Sequence, residues 1–115
     1  MAGPEPPTEP LLRVERRDID GVPHLELVGE LDLGTIDPLK LRLELVERED
    51  PEAIVVDLRR VTFMDSMGLG ILVSHRVRAK QEGRRLLLIQ GPEHVQQLFA
   101  ITGMHAQFDW VEPRP

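Results

Sequence analysis

One serine, in the run Phe63-Met64-Asp65-Ser66-Met67-Gly68-Leu69-Gly70, is the side chain of this sequence best placed to do chemistry. A carboxylate, Asp65, precedes it directly, and two glycines flank Leu69 just after it. A hydroxyl in that setting can cap a helix, attack as a nucleophile or accept a phosphoryl group. Capping is the default on local sequence, since serine at a helix N-cap is worth about 1 kcal/mol over alanine. A capping box is absent, because the residue three positions on is Leu69 rather than Glu or Gln. A hydrolase elbow would read Gly-x-Ser-x-Gly, but Met64 stands where its first glycine belongs. No histidine is placed by sequence to act as the general base that a nucleophile requires. Gly68-Leu69-Gly70 lacks the Gly-Lys-Ser/Thr of a phosphate-binding loop and the third glycine of a dinucleotide fingerprint. The two glycines instead permit close approach of a partner or of a neighbouring strand.

The elements around the serine follow from hydrophobic spacing. Ala53-Ile54-Val55-Val56-Asp57-Leu58 reads as a buried strand, and Leu69, Leu72, Val73 and Val77 recur at helical intervals after it. Ser66 therefore sits where a strand gives way to a helix, at the carboxyl edge where α/β proteins build their sites. That helix is predicted over 66–82, stopped by Gly83. Upstream, Leu11–Arg17 and Pro23–Gly29 alternate as two strands around Asp20-Gly21, joined by more than a two-residue turn. Ile36, Leu39, Leu43 and Val46 mark a helix whose apolar face Leu41 and Leu45 widen. Thr35 or Asp37 can cap it, and it ends near Glu49-Asp50-Pro51. Arg84–Gln90 is a second buried strand, Gly91-Pro92 opens a third helix that Gly103 closes, and Gln107–Val111 is a last short strand. The order β-β-α-β-α-β-α-β predicts an α/β fold with a mixed central sheet and helices packed on it. Residues 1–10, with four of the ten prolines, read as a disordered tail before one domain over 11–112. The charged run Arg76, Arg78 and Lys80 reads as a solvated helix face, and His75 as a surface residue.

Composition excludes several classes. The chain of 115 residues suits one domain, and its 41% hydrophobic and 30% charged residues are those of an ordinary globule. Three Phe, one Trp and no Tyr leave the core aliphatic and provide no stacking platform for single-stranded nucleic acid. A net charge of -6 repels phosphate backbones, so direct nucleic-acid binding is not expected. Without cysteine there are no disulfides, thiolate metal sites or cysteine nucleophiles. The four histidines, His24, His75, His94 and His105, show no close metal-ligand spacing, and no cofactor motif is present. No apolar run reaches membrane-spanning length and no basic-then-apolar leader opens the chain, so a cytoplasmic location and no membrane partner are expected.

Val61-Thr62-Phe63-Met64-Asp65-Ser66-Met67-Gly68-Leu69-Gly70 closely resembles the signature of bacterial anti-sigma factor antagonists, the STAS-domain family. Gly29-Glu30-Leu31-Asp32 is similar to that family's Gly-Glu-Leu/Ile-Asp after the second strand. Gln97-Leu98-Phe99-Ala100-Ile101-Thr102-Gly103-Met104 is similar to its Leu-Phe-x-x-x-Gly-Leu at the end of the third helix, so the likeness runs over about 11–111. The resemblance implies a STAS-like fold and a regulatory binding protein rather than an enzyme. It implies that Ser66 is phosphorylated and that Asp32, Thr62, Asp65, Met67, Gly68 and Leu69 contact a partner. That partner would be an anti-sigma factor with serine-kinase activity. The unphosphorylated form would bind it and free a sigma factor, phosphorylation would release it, and a serine phosphatase would reset the cycle. Met67 replaces the family's second hydroxyl residue, and the family's final helix is expected to be short or missing. An alternative within the same fold is a STAS regulatory subunit of a membrane lipid transporter complex.

Overall fold

The structure is a computed structural model that describes residues 10–114 together with Gly3; the tail expected over 1–10 otherwise lies outside the described residues. The elements are β1 (Leu12–Ile19), β2 (Val22–Leu31), α1 (Ile36–Glu47), β3 (Ala53–Met64), α2 (Ser66–Gln81), β4 (Arg85–Ile89), α3 (Glu93–Ile101), a 3-10 turn at His105–Gln107 and β5 (Asp109–Trp110). They follow the order expected from the sequence. The strands lie in the sheet as β1-β2-β3-β4-β5, β1 antiparallel to β2 and the rest parallel.

Each parallel strand lies next to the one before it, and such crossovers are right-handed. Three successive right-handed crossovers in one direction put α1, α2 and α3 on the same face of the sheet. One apolar cluster accordingly joins Leu39 and Leu43 of α1, Leu72 of α2 and Phe99 of α3 to Leu27, Val56 and Leu88 of the sheet. The core is aliphatic except at the α3–β5 end, where Phe99 meets Phe108 and Trp110 edge-on at 5.5 and 5.0 Å. Among the described residues no helix is long and apolar enough to cross a membrane.

Several local expectations need correction. The two N-terminal strands run to Ile19 and from Val22, which pair directly, so the turn between them is two residues long. Asp20 and Gly21 supply the positive φ angles, 53° and 78°, that such a tight hairpin requires. The strand expected to end at Leu58 continues to Met64. Exposed Arg59, Arg60, Thr62 and Phe63 interrupt its apolar run, while register shifts against β2 at Glu26/Val28 and Gly29/Glu30 carry the pairing on. Leu41 and Leu45 do not widen the buried face of α1; they point outward at 56% and 45% exposure, and the buried stripe is Leu39, Leu43 and Val46.

On α2, Leu69 and Leu72 are buried, whereas Val77 is exposed. His75 is not at the surface. It is buried between helices, its Nδ1 is 2.9 Å from Glu47 Oε2 of α1, and Arg78 donates to the other oxygen of that carboxylate at 3.2 Å. Arg76 is half-buried, with its guanidinium 5.9 Å from the centre of the Phe108 ring. The charged run is thus partly structural. Gly83 follows α2 with φ of +71°, the left-handed conformation expected of a helix stop. Arg16 of β1 binds both Asp18 of its own strand and Glu49, which follows the C-cap of α1. Those hydrogen bonds hold the Arg16 guanidinium above its usual pKa and both carboxyls below theirs. All three groups are solvated, so the bridge adds little to stability.

Candidate functional site

Parallel pairing builds the site. Leu31, the last residue of β2, is in register with Met64, the last residue of β3. The chain leaves the sheet at both points, so Asp32 and Asp65 emerge side by side at the carboxyl edge. Asp65 keeps the two ends together: its amide donates to Leu31 O at 3.3 Å, and its Oδ2 accepts from Leu33 N at 3.4 Å.

The cap of α2 is Asp65, not Ser66. Asp65 has extended backbone angles (φ -110°, ψ -178°), and its Oδ1 accepts from Gly68 N at 2.9 Å. Ser66 is the first helical residue, exposed to solvent, and among the described residues its hydroxyl has no hydrogen-bond partner. The capping role is thus taken by the neighbouring side chain, which leaves the serine oxygen free. Asp65→Ala should lower stability by about 1 kcal/mol, whereas Asp65→Asn should cost only a few tenths, because asparagine caps equally well. Urea melts of both variants check this; equal losses would mean that charge rather than capping accounts for the effect.

Asp32 does not cap α1 either. Its Oδ1 accepts from Gly34 N at 2.9 Å and shapes the turn into the helix, whose N-cap position is Thr35. Buried Thr35 donates its hydroxyl to Glu30 O at 2.7 Å and accepts from Asp32 N at 3.0 Å, which fixes the Glu30–Asp32 corner. Among the described residues neither Asp32 nor Asp65 forms an ion pair, so the edge is acidic and uncompensated.

The remaining residues expected to meet a partner divide into two groups. Met67 is 48% exposed beside Ser66, and Thr62 is exposed, with its carbonyl accepting from His94 Nε2 of α3 at 2.9 Å. Gly68 and Leu69 face inward instead: Gly68 is buried against Leu31 and Leu69 belongs to the core. They position α2 and do not offer surface. Sequence reasoning passed over Leu33, 65% exposed, and Phe63, 47% exposed, which flank the serine edge with Met67. The signal was present in Leu33, an apolar residue set between the turn formers Asp32 and Gly34. The site is therefore an exposed hydroxyl in the first turn of a helix, beside the two carboxylates at the ends of β2 and β3 and exposed Met67, with exposed Leu33 and Phe63 on the adjoining segments.

Residues 13–114 match the STAS domain family, and the chain belongs to it. It is 31% identical over 94 residues to the anti-sigma F factor antagonist of Paenibacillus polymyxa, covering 81% of this chain and 80% of that one. It is 30% identical over 93 residues to the anti-sigma-B factor antagonist of Listeria monocytogenes, covering 81% of each. The crystal structure of an anti-sigma factor antagonist from Mycobacterium paratuberculosis superposes with a TM-score of 0.79 at 26% identity, over 90% of this chain and 86% of that one.

Proposed function

We propose that this protein is an anti-sigma factor antagonist switched at Ser66. Unphosphorylated, it binds an anti-sigma factor that is also a serine kinase, and a sigma factor is freed. The kinase moves the γ-phosphoryl group of ATP to Ser66 Oγ: the new Oγ–P bond forms as the bond to the β-phosphate breaks, ADP leaves, and the hydroxyl proton passes to the kinase. The phosphorylated chain dissociates, and a serine phosphatase hydrolyses the ester in water to restore the hydroxyl. The protein is a substrate and binding partner in this cycle, not an enzyme, and it acts in the cytoplasm through proteins rather than nucleic acid or membrane.

The observation that carries this reading is the free Ser66 hydroxyl, exposed in the first turn of a helix that Asp65 already caps. Met67 next to it leaves no second hydroxyl for the kinase to use. Leu33, Phe63 and Met67 provide the apolar contacts and Asp32 and Asp65 the polar border, with Thr62 at its rim. Incubation with the co-purified partner and ATP, followed by mapping the phosphate by mass, tests the assignment. Ser66→Ala should take up no phosphate, and full incorporation into that variant would overturn it. The same co-purification separates this reading from the transporter-subunit alternative, which would bring down a membrane ATPase complex in place of a soluble kinase.

A further inference from the structure

Because all three helices share one face of the sheet, the opposite face has no helix over it. The side chains alternating to that face include Val55, Leu87 and Ile89, which form a second apolar cluster and are nevertheless buried. The segment after β5 covers part of this face. Val111 N donates to Leu88 O at 2.8 Å, and Arg114 ion-pairs with Asp20 in the β1–β2 turn, so the segment crosses from the last strand to the first hairpin. Between this strap and the sheet is a cavity of about 440 Å³. Its walls are Ile19, Val22, Ala53, Val55, Leu87 and Val111.

We propose that this cavity binds a small amphipathic anion, a free medium-chain carboxylate. Its chain would lie along Val22, Ala53, Val55 and Leu87, and its head group would meet Arg85. The volume is in the range of ligand pockets, about 300–1,000 Å³, and the lining is of the kind such pockets have, apolar walls with a few polar groups at fixed points. Arg85, in register with Ala53 at one end, is exposed, and its side chain makes no hydrogen bond or ion pair among the described residues, so its guanidinium is available to an anion. His24 also lines the cavity; its Nδ1 donates to Val22 O at 3.0 Å, which leaves Nε2 unused. Two carboxylates line the wall as well. Asp20 is neutralised by Arg114, and Glu112 is shared with a neighbouring cleft that Arg59 and Gln90 line. The cavity lies at the Ala53 end of β3 and Ser66 follows its Met64 end, roughly 35 Å apart at about 3.3 Å per residue. Ligand and partner would therefore not compete for one surface, and the proposal stands apart from the switch at Ser66.

Calorimetric titration of the full chain with decanoate, decanol and butyrate tests this, with amide chemical shifts to locate the ligand. Decanoate should saturate at one molecule per chain and shift Val22, Val55 and Leu87. Decanol, with the same chain and no charge, should bind about tenfold more weakly, since a guanidinium–carboxylate contact is a strong charge-assisted one. Butyrate should not bind. Arg85→Gln should reduce decanoate to the level of decanol without moving the melting temperature. Ala53→Phe should abolish binding by filling the cavity; Val22→Phe, on the facing wall, serves if that variant folds poorly. Absence of saturable decanoate binding, shifts confined to the exposed leucines of α1, or an Arg85→Gln variant that binds as wild type would overturn the proposal.

Discussion

Phosphorylation of Ser66 is expected to weaken binding to the anti-sigma partner by about two orders of magnitude or more, and to leave the fold unchanged. The added group carries about -1.5 to -2 charges at neutral pH. In the free protein it stays hydrated at the start of α2, where the helix dipole stabilises an anion by about 0.3–1 kcal/mol. The carboxylates of Asp65 and Asp32 oppose it to a similar degree, and no described cation pairs with either of them. These contributions nearly cancel, so thermal melts of the two forms should coincide. In a complex the balance differs. A surface fitted around a small hydroxyl, with Leu33, Phe63 and Met67 against it, would have to strip water from the phosphate next to two carboxylates. An unpaired charge buried at an interface costs about 2–5 kcal/mol, and each 1.4 kcal/mol is about tenfold in affinity. Ser66→Asp should reproduce part of the loss, having one charge and fewer acceptor oxygens, and Ser66→Ala should bind like the unmodified chain. Titration of wild type, phosphorylated protein and both variants against the partner decides the matter. Equal affinities for all would place Ser66 outside the interface.

The order of elements was readable from the sequence because each segment carries its own period: alternation before Gly29, helical spacing after Ile36, and uninterrupted apolar runs at Ile54 and Leu86. What could not be read depends on contacts between segments distant in the chain. Serine and aspartate are equally good caps, and only the extended backbone at Asp65 decides that the carboxylate takes the position and leaves Ser66 free. His75 lies among Ser74, Arg76 and Arg78 in a stretch that looks solvated, yet the approach of Glu47 from α1 buries it. Leu41 and Leu45, by contrast, stand two positions from Leu39 and Leu43, about 200° round a helix of 3.6 residues per turn, so their exposure was already contained in the spacing. The second half of β3 was hidden because Arg59, Arg60 and Thr62 break its apolar run, and its pairing with β2 depends on two register shifts that leave no mark in local sequence. At the site, motif positions singled out the serine and its two carboxylates as candidates, but which motif residues offer surface and which serve packing required the third dimension.

That distinction leads to opposite expectations for the two glycines after Ser66. A Cβ on Gly68 would lie 2.3 Å from Leu31 O and 2.9 Å from Leu31 Cγ, distances that real contacts do not reach. The oxygen belongs to the backbone of β2, where it also accepts from the Asp65 amide. It cannot swing aside, so α2 would have to move off the strand. Overpacking of this kind costs about 1–3 kcal/mol, sometimes more, and exceeds the helix-propensity gain of about 0.8–1 kcal/mol when alanine replaces glycine. Gly68→Ala should therefore lower stability by about 1 kcal/mol net, and it should weaken partner binding because the move displaces Asp65 and Ser66 together. At Gly70 a Cβ would meet nothing within 4 Å. Only the propensity gain remains, so Gly70→Ala should be more stable than wild type by about 0.8–1 kcal/mol. Gly70 also faces outward one turn beyond Ser66, on the side that a partner docked at the serine would approach. A methyl group there should impair close packing and reduce affinity by about tenfold, while stability rises. Urea denaturation and partner titration of both variants separate these effects. If Gly70→Ala binds as tightly as wild type, the interface ends before the second turn of α2. If Gly68→Ala is as stable as wild type, the close packing of α2 on Leu31 does not hold the serine in place.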